Sequence, residues 1–281
     1  MRDDLYQEDL AWLHVVAATL NWKEGSENNN EACLKRLHLN YDFQRTVMDS
    51  AERKLLEALK VIPNPNSRAQ GFNCLISMRR CGERPVDQLV RGRDLLKDEI
   101  AKHQKAAKEG LDLFTKEHLE KEIDEAYIND TVKCAVLLLF AELGCRVADL
   151  GGMVTDDKKK AEAAESNCFV IRARDVLVIR RDYKTRDVYG EKRDVIRGER
   201  GKMLRRCLQP LVGGTLIRLK GGSMCPKAQL SARIRDITGT NATTLFKSWV
   251  NSCRLAGDLD GIRDLAYKRG TDLKTVLSYY A

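Results

Sequence analysis

Residues 130–150, which read DTVKCAVLLLFAELGCRVADL, contain the segment that decides the fold of this chain. Val132 to Leu143 is nearly all apolar, which predicts a buried helix rather than an amphipathic surface helix. Asp130 is a good N-cap for that helix, and Gly144 is typical of a helix C-terminus. Residues 145–150 then begin another helix. The segment therefore predicts a central helix that ends in a sharp turn.

The residues that follow predict a small sheet and then more helices. Three β-rich segments, Phe169–Arg172, Val176–Ile179 and Lys192–Ile196, are separated by turn-like residues and indicate a small antiparallel sheet. Helical periodicity resumes in four further segments, which are Met203–Leu211, Gln229–Ile237, Leu245–Leu255 and Gly261–Tyr267. The order after residue 130 is thus helix, small sheet, helices.

The residues before position 130 predict helices alone. Leu5 to Leu20 has helical spacing, Asn21 to Asn30 is polar and loop-like, and Leu34 to Val61 predicts one or two helices. Val86 to Ala107 and Glu117 to Tyr127 are also helical in pattern. We therefore expect a mainly α protein with a small antiparallel β-sheet. Its predicted domains are a helical N-terminal domain, residues 1–125, and a second domain, residues 126–281.

The two halves of the chain differ in charge. Residues 1–130 carry a net charge of −4 and residues 131–281 carry +12, which together give the net +8 of the 281-residue chain. A polyanion would therefore bind the second half. The alternative is a solvated basic surface without a ligand.

The composition of the sequence argues against a zinc site in the basic half and against a membrane-spanning segment. The four histidines all precede residue 131, and the nine cysteines form no CxxC pair, so a zinc site in the basic half lacks suitable ligands. The apolar segment Cys134–Leu143 is too short to span a bilayer. The N-terminus, Met1-Arg-Asp-Asp-Leu, is unlike a signal peptide. We expect reduced thiols and an intracellular protein without a metal or cofactor.

The closing segment, RGTDLKTVLSYYA at residues 269–281, ends in the tyrosine pair Tyr279 and Tyr280. A tyrosine phenol oxygen can attack phosphorus as a nucleophile. Such phosphoryl transfer needs positioned positive charge around the equatorial oxygens. Arginine supplies a bidentate fork for these oxygens, and lysine can protonate a leaving oxygen. The tyrosine pair is therefore informative only if cations upstream can hold a phosphate.

Three blocks of the sequence resemble the tyrosine recombinase (phage integrase) family. They are Ala135–Leu150 with its Gly-x-Arg turn, Val176–Thr185 and Arg269–Tyr279, and they occur in the family's order. The resemblance implies that Arg146 is the first catalytic arginine, Lys184 the catalytic lysine and Tyr279 the nucleophile. Lys192 is the alternative lysine and Tyr280 the alternative nucleophile. Spacing alone does not decide between the two tyrosines.

The middle motif departs from the family pattern. Family members carry His-x-x-Arg on a helix before the tyrosine, and the best match here is Thr244-Leu-Phe-Lys247. Lys247 would replace the second arginine, keeping the charge but losing the fork. The position of the family's third His or Trp falls at Gly270, or at Arg269 with a one-residue slip. Arg269 is therefore also a candidate catalytic residue, and the alternative is that it only binds the backbone phosphate. Asp149 is expected to cap or orient Arg146.

The resemblance implies a site-specific DNA recombinase or integrase that forms a 3′-phosphotyrosyl intermediate and needs no cofactor. It implies double-stranded DNA as the partner, self-assembly into a dimer or tetramer on DNA, and an N-terminal domain that clamps DNA. The location would be the cytoplasm or nucleoid, or the nucleus of a eukaryotic or viral host. One alternative is a DNA-binding or architectural protein with the same fold and an eroded site. Another is an RNA-binding helical protein.

Overall fold

The computed structural model describes residues 2–109, 113–183 and 186–279. Contacts divide the chain into two compact units, Met1–Leu111 and Asp112–Ala281. This division groups residues 116–129 with the second unit, whereas the division expected from the sequence lies between residues 125 and 126. Each unit has its own hydrophobic core.

The first unit is helical in its described residues. Its helices are α1 (Arg2–Thr19), α2 (Glu24–Asn40), α3 (Glu52–Lys60), α4 (Pro65–Cys81) and α5 (Asp87–Glu109). Helix α2 begins inside the segment expected to be a loop, so that expectation for residues 24–30 is wrong. Glu24 and Glu27 lie in its first turn, where acidic side chains favour the helix dipole. Its second half is anchored by the buried residues Cys33, Leu34 and Leu37.

Two buried charged residues fix the loop between α2 and α3. Asp9 is 1% exposed, and its carboxylate accepts hydrogen bonds from the Val47 N–H at 2.9 and 3.0 Å. Arg79 donates to the carbonyl oxygens of Val47 and Ser50 at 3.0 and 2.7 Å. Because a buried polar group without a partner is costly, these bonds hold the loop in one conformation.

In the second unit, the other helices and a small sheet pack around one buried helix. Its helices are α6 (Lys116–Asn129), α7 (Thr131–Leu143), α8 (Lys158–Ala163), α9 (Arg186–Tyr189), α10 (Gly198–Leu208), α11 (Lys227–Thr238), α12 (Ala242–Leu255), α13 (Leu259–Arg269) and α14 (Leu273–Tyr279). Short 3₁₀ turns lie at Val147–Gly151 and Gln209–Leu211. Helix α7 is the predicted buried helix. Asp130 caps it by accepting a hydrogen bond from Lys133 N–H at 2.9 Å.

The sheet of the second unit has four strands in the order β1 (Met153–Thr155), β2 (Cys168–Ile171), β3 (Val176–Arg180) and β4 (Lys192–Ile196). The prediction of a mainly α chain with a small sheet is confirmed. The sheet is mixed rather than wholly antiparallel, because β1 pairs parallel to β2 while the other pairs are antiparallel. The crossover through α8 brings the chain back in the same direction. The three-residue strand β1 was not predicted.

Strands β2 and β3 are buried on both faces. Phe169 and Val178 lie in the core around α7, whereas Leu177 and Ile179 lie in a smaller cluster with Ala161 of α8. Side chains alternate between the faces of a strand, so consecutive residues at the end of β3 point to opposite sides.

All nine cysteines lie within the described residues, and none is in a disulfide. Seven of them are buried, whereas Cys81 of α4 and Cys253 of α12 are partly exposed.

Candidate functional site

Gly144 determines how the chain leaves α7. Its φ of 55° is left-handed, which glycine adopts without the steric cost that other residues incur. A Cβ at this position would also lie 2.6 Å from the ring of Phe246 on α12. The turn therefore requires glycine for conformation and for packing, and it brings Arg146 out of the core.

Arg146 is held at both its backbone and its side chain. Its N–H donates to Asp149 Oδ2 at 2.8 Å, as expected of a residue that orients the arginine. Its guanidinium donates to the carbonyl oxygens of Arg269 at 2.7 Å and Gly270 at 3.2 Å, and to Thr271 Oγ1 at 2.8 Å. Arg146 thus lies against the turn that joins α13 to α14.

Arg269 makes the reciprocal contacts. It is 8% exposed and donates to the carbonyl oxygens of Gly144 at 2.6 Å and Cys145 at 3.2 Å. Its guanidinium carbon lies 3.8 Å from the centre of the Phe246 ring. Arg146 and Arg269 therefore tie residues 144–146 to residues 269–271. These contacts give Arg269 a structural role, and the catalytic role inferred from the sequence stays a prediction.

Lys192, the first residue of β4, reaches the same turn. Its Nζ donates to the carbonyl oxygen of Tyr267 and lies 3.4 Å from that of Lys268. The amine also lies over the rings of Tyr267 and Tyr189, 4.6 and 5.1 Å from their centres. Partial burial, followed by the positive charge of Arg180, lowers the pKa of Lys192, and Asp194 opposes this shift. A lysine with a lowered pKa is better suited to donate a proton near neutral pH.

Lys184, the other candidate lysine, lies outside the described residues, in the connection between β3 and β4. Its placement relative to Arg146 stays a prediction.

A buried arginine lies on the core side of Arg146 and Lys192. The sequence did not indicate it. Arg180, the last residue of β3, is 0% exposed and is the largest fully buried side chain in the described part of the chain. Its Nη2 donates to Asp194 Oδ2 at 2.6 Å and to the carbonyl oxygen of Lys268. Its Nη1 is 3.5 Å from Asp149 Oδ2. In the sequence, Arg180 directly follows the apolar β segment Val176–Ile179, and such a position does not indicate a role in the site.

Thr244 and Lys247 lie in the first half of α12. Asn241 caps this helix by accepting a hydrogen bond from Thr244 N–H at 2.8 Å. Thr244 is buried and Lys247 is half-buried. The intervening Phe246 packs against Arg269, which places this part of α12 beside the turn between α13 and α14.

The segment carrying the tyrosine pair follows directly from the turn that Arg146 holds. Gly270, with a φ of 66°, ends α13, and Asp272 caps α14 by accepting from Thr275 N–H at 2.9 Å. Val276 is fully buried and anchors α14. Helix α14 ends at Tyr279, whose side chain is not among those described, and Tyr280 lies outside the described residues.

Together these contacts bring Arg146, Lys192 and Arg180 to the C-terminal turn of α13, residues 267–270, which itself contains Arg269. Carbonyl oxygens at a helix C-terminus carry partial negative charge, which cations stabilise. Within the described residues there is no group of three or more potential metal ligands. No helix in that same part of the chain is long and apolar enough to cross a membrane.

A helical unit followed by a second unit with this buried helix, small sheet and closing helices is the fold of the tyrosine recombinases and integrases. The solved structures similar to this chain include a lambda integrase dimer bound to a COC′ core site, with a TM-score of 0.59, 14% identity, and 96% of this chain and 94% of that chain covered. Another structure of such a dimer has a TM-score of 0.56, 15% identity, and coverage of 96% and 76%. A lambda integrase tetramer bound to a Holliday junction has a TM-score of 0.54, 14% identity, and coverage of 96% and 77%.

No family sequence model matches the chain, and no curated protein matches it. The likeness is therefore one of fold, which by itself does not define an activity.

Proposed function

We propose that this chain is a site-specific DNA recombinase or integrase that cleaves and rejoins duplex DNA through a 3′-phosphotyrosyl intermediate. The observation that carries the proposal is the convergence of Arg146 and Lys192 on the C-terminal turn of α13. From that turn the chain enters α14, which ends at Tyr279. The cationic side chains of Arg146 and Lys192 thus lie beside the turn that precedes α14, the helix that ends at Tyr279.

The proposed chemistry assigns a role to each group. Tyr279 or Tyr280 loses its phenol proton to solvent and attacks the scissile phosphorus, forming the tyrosyl ester as the bond to the 5′ oxygen breaks. Arg146 and Lys247 stabilise the charge on the equatorial oxygens. Lys192, or Lys184 in its place, gives a proton to the leaving 5′ oxygen. The phosphotyrosine conserves the energy of the bond, so the reaction needs no nucleotide or metal.

The proposed partner is double-stranded DNA. The net charge of +12 on residues 131–281 favours a polyanion, and the similar structures are integrase dimers and a tetramer on DNA. We extend both properties to this chain as proposals, with self-assembly into a dimer or tetramer on DNA. Residues 1–125 would then act as the DNA-clamping domain and residues 126–281 as the catalytic domain.

The test is covalent trapping on DNA of unspecified sequence. The full chain is incubated with a pool of nicked duplexes of randomised sequence, in which a cleaved short strand diffuses away and prevents religation. An adduct that survives denaturing detergent and is destroyed by protease is the expected result. Sequencing of the captured strands would then identify the preferred site.

The matched variants are Tyr279→Phe, Tyr280→Phe and Tyr127→Phe. Tyr127 lies in the same unit, where its hydroxyl accepts a hydrogen bond from Arg206 at 3.2 Å, and it serves as the control. One C-terminal variant is expected to abolish the adduct, whereas Tyr127→Phe should retain it. If the wild type binds duplex DNA but no pool yields an adduct, the chain is a DNA-binding protein with an eroded site.

A further inference from the structure

Arg180 is unusual because burial of a charged side chain is costly. Its side chain and that of Asp149 are each 0% exposed. Within the described residues, Arg180 Nε and Nη1 and Asp149 Oδ1 are buried without a hydrogen-bond partner. Apolar side chains of similar volume often replace buried ion pairs without loss of stability. Packing alone therefore gives no reason for an arginine at this position.

The partners of Arg180 give that reason, because each belongs to a segment that carries a candidate site residue. Asp149 accepts the backbone N–H of Arg146. Asp194 lies two residues after Lys192 in β4 and so on the same face of that strand. The Lys268 carbonyl, which accepts from Arg180, precedes Arg269 at the end of α13.

We propose that Arg180 is a positioning residue of the candidate site, which holds the Arg146 turn, the Lys192 strand and the end of α13 together from inside the core. As far as catalysis is concerned, this inference rests on the proposed function. The contacts place Arg180 behind the cations rather than among the groups that would touch a phosphate.

The charge of Arg180 acts on Lys192 as well. The charged groups that face Lys192 are Arg180 on β3, Asp194 on β4, and Arg146 and Asp149 in the turn after α7. The rings of Tyr189 and Tyr267 cover its amine. After burial, Arg180 is the largest cause of the lowered pKa of Lys192. Removing the Arg180 charge should therefore raise the pKa of Lys192.

Arg181 provides a matched control one residue away. It is also an arginine, 7% exposed, and it pairs with Glu191 at 2.5 Å while donating to the Ala161 carbonyl at 2.8 Å. It lies on the opposite face of the sheet, beside Cys168. Arg181→Met thus removes a similar buried charge without touching the Arg180 partners.

The experiment compares Arg180→Met, Arg180→Lys and Arg181→Met in the full chain. Circular dichroism and thermal melting check that each variant folds. The NMR signal of the Lys192 side chain is assigned by comparison with Lys192→Arg, and its chemical shift is followed as the pH is changed. Arg180→Met should shift the Lys192 titration to higher pH, whereas Arg181→Met should not. Adduct formation should fall about tenfold or more in Arg180→Met, with duplex affinity unchanged.

Arg180→Lys keeps the charge but loses the fork, so it should preserve the Lys192 titration and still lower adduct formation. If Arg180→Met does not fold, Arg180→Lys still tests the inference. An unchanged Lys192 titration in Arg180→Met, or equal losses of adduct in Arg180→Met and Arg181→Met, would overturn the inference. The inference would also be overturned if Arg180→Lys formed as much adduct as the wild type. A wild type without any adduct would instead contradict the proposed function, while the NMR titration would still decide the role of Arg180.

Discussion

At the scale of single residues, Gly144 is the position on which the placement of Arg146 depends. Gly144→Ala should lower the free energy of unfolding by about 2–4 kcal/mol, because it adds left-handed strain and a clash with Phe246. Chemical denaturation measures this loss. Gly190→Ala is the control, since Gly190 is also left-handed, at 68°, but a Cβ there meets nothing within 4 Å.

The Gly190→Ala variant should lose only about 1–2 kcal/mol from strain. Equal losses at both positions would contradict the close packing of Phe246 on the turn.

Lys192 leads to a prediction about pH. A general acid must be protonated, so the cleavage rate should fall as pH rises through the pKa of Lys192. Because that pKa is lowered, the fall should occur below the range of an ordinary lysine. Lys192→Met should reduce the cleavage rate by about 10²–10⁴-fold and remove this limb of the pH profile. The same measurements on Lys184→Met decide between the two lysines.

If Lys184→Met removes the alkaline limb and Lys192→Met leaves it in place, Lys184 is the acid. Lys192 would then only stabilise the end of α13.

The sequence indicates Arg146 but not Arg180, and the reason is physical. A glycine and an arginine after an apolar helix form a local pattern. The role of Arg180 depends instead on partners that are distant in sequence, such as the Lys268 carbonyl, 88 residues away. The sequence does mark Arg269 as a candidate, but not the contacts of its guanidinium, because the Gly144 carbonyl lies 125 residues earlier.

At the scale of elements, α14 depends on a single fully buried anchor among its described side chains, Val276. Val276→Ala should cost roughly 1–3 kcal/mol. A helix of seven residues has little stability of its own, so the loss should appear as local release of α14. Hydrogen exchange should become faster in residues 273–279 while α7 stays protected.

Leu277→Ala is the control for this change, because Leu277 is 40% exposed and its truncation should leave exchange nearly unaltered. Faster exchange throughout the second unit in Val276→Ala would show that α14 is part of the global folding unit.

Local patterns predicted some elements and missed others. Helix α7 was predicted because apolar residues, an Asp cap and a terminal glycine all agree. Helix α2 was not predicted to begin at Glu24, because its asparagines favour loops and its buried anchors come only at Cys33 and beyond. Strand β1 was missed because three residues carry no readable alternation, and its parallel pairing depends on the crossover through α8.

At the scale of the whole molecule, the charge difference between the halves leads to a prediction about DNA affinity. Binding of the full chain to duplex DNA should weaken steeply with salt. Each phosphate contact should add about 0.9 to the negative slope of log K against log salt concentration. Fluorescence anisotropy over a salt series measures the slope. A flat salt dependence would contradict a basic binding surface.

The same series with single-stranded DNA and RNA tests the RNA-binding alternative. Duplex should bind more tightly at every salt concentration if the chain contacts the paired strands as proposed. Tighter binding to single strands would favour the RNA-binding protein instead.

The cysteines have a practical consequence for studying motion between the two units. Of nine thiols only Cys81 and Cys253 are partly exposed, and they lie in different units. Burial raises the pKa of Cys253, so its reactive thiolate forms only at higher pH. Because the two partly exposed thiols lie one in each unit, dyes could be attached at both without any substitution. Energy transfer between the dyes would then report whether the separation of the units changes when DNA is added.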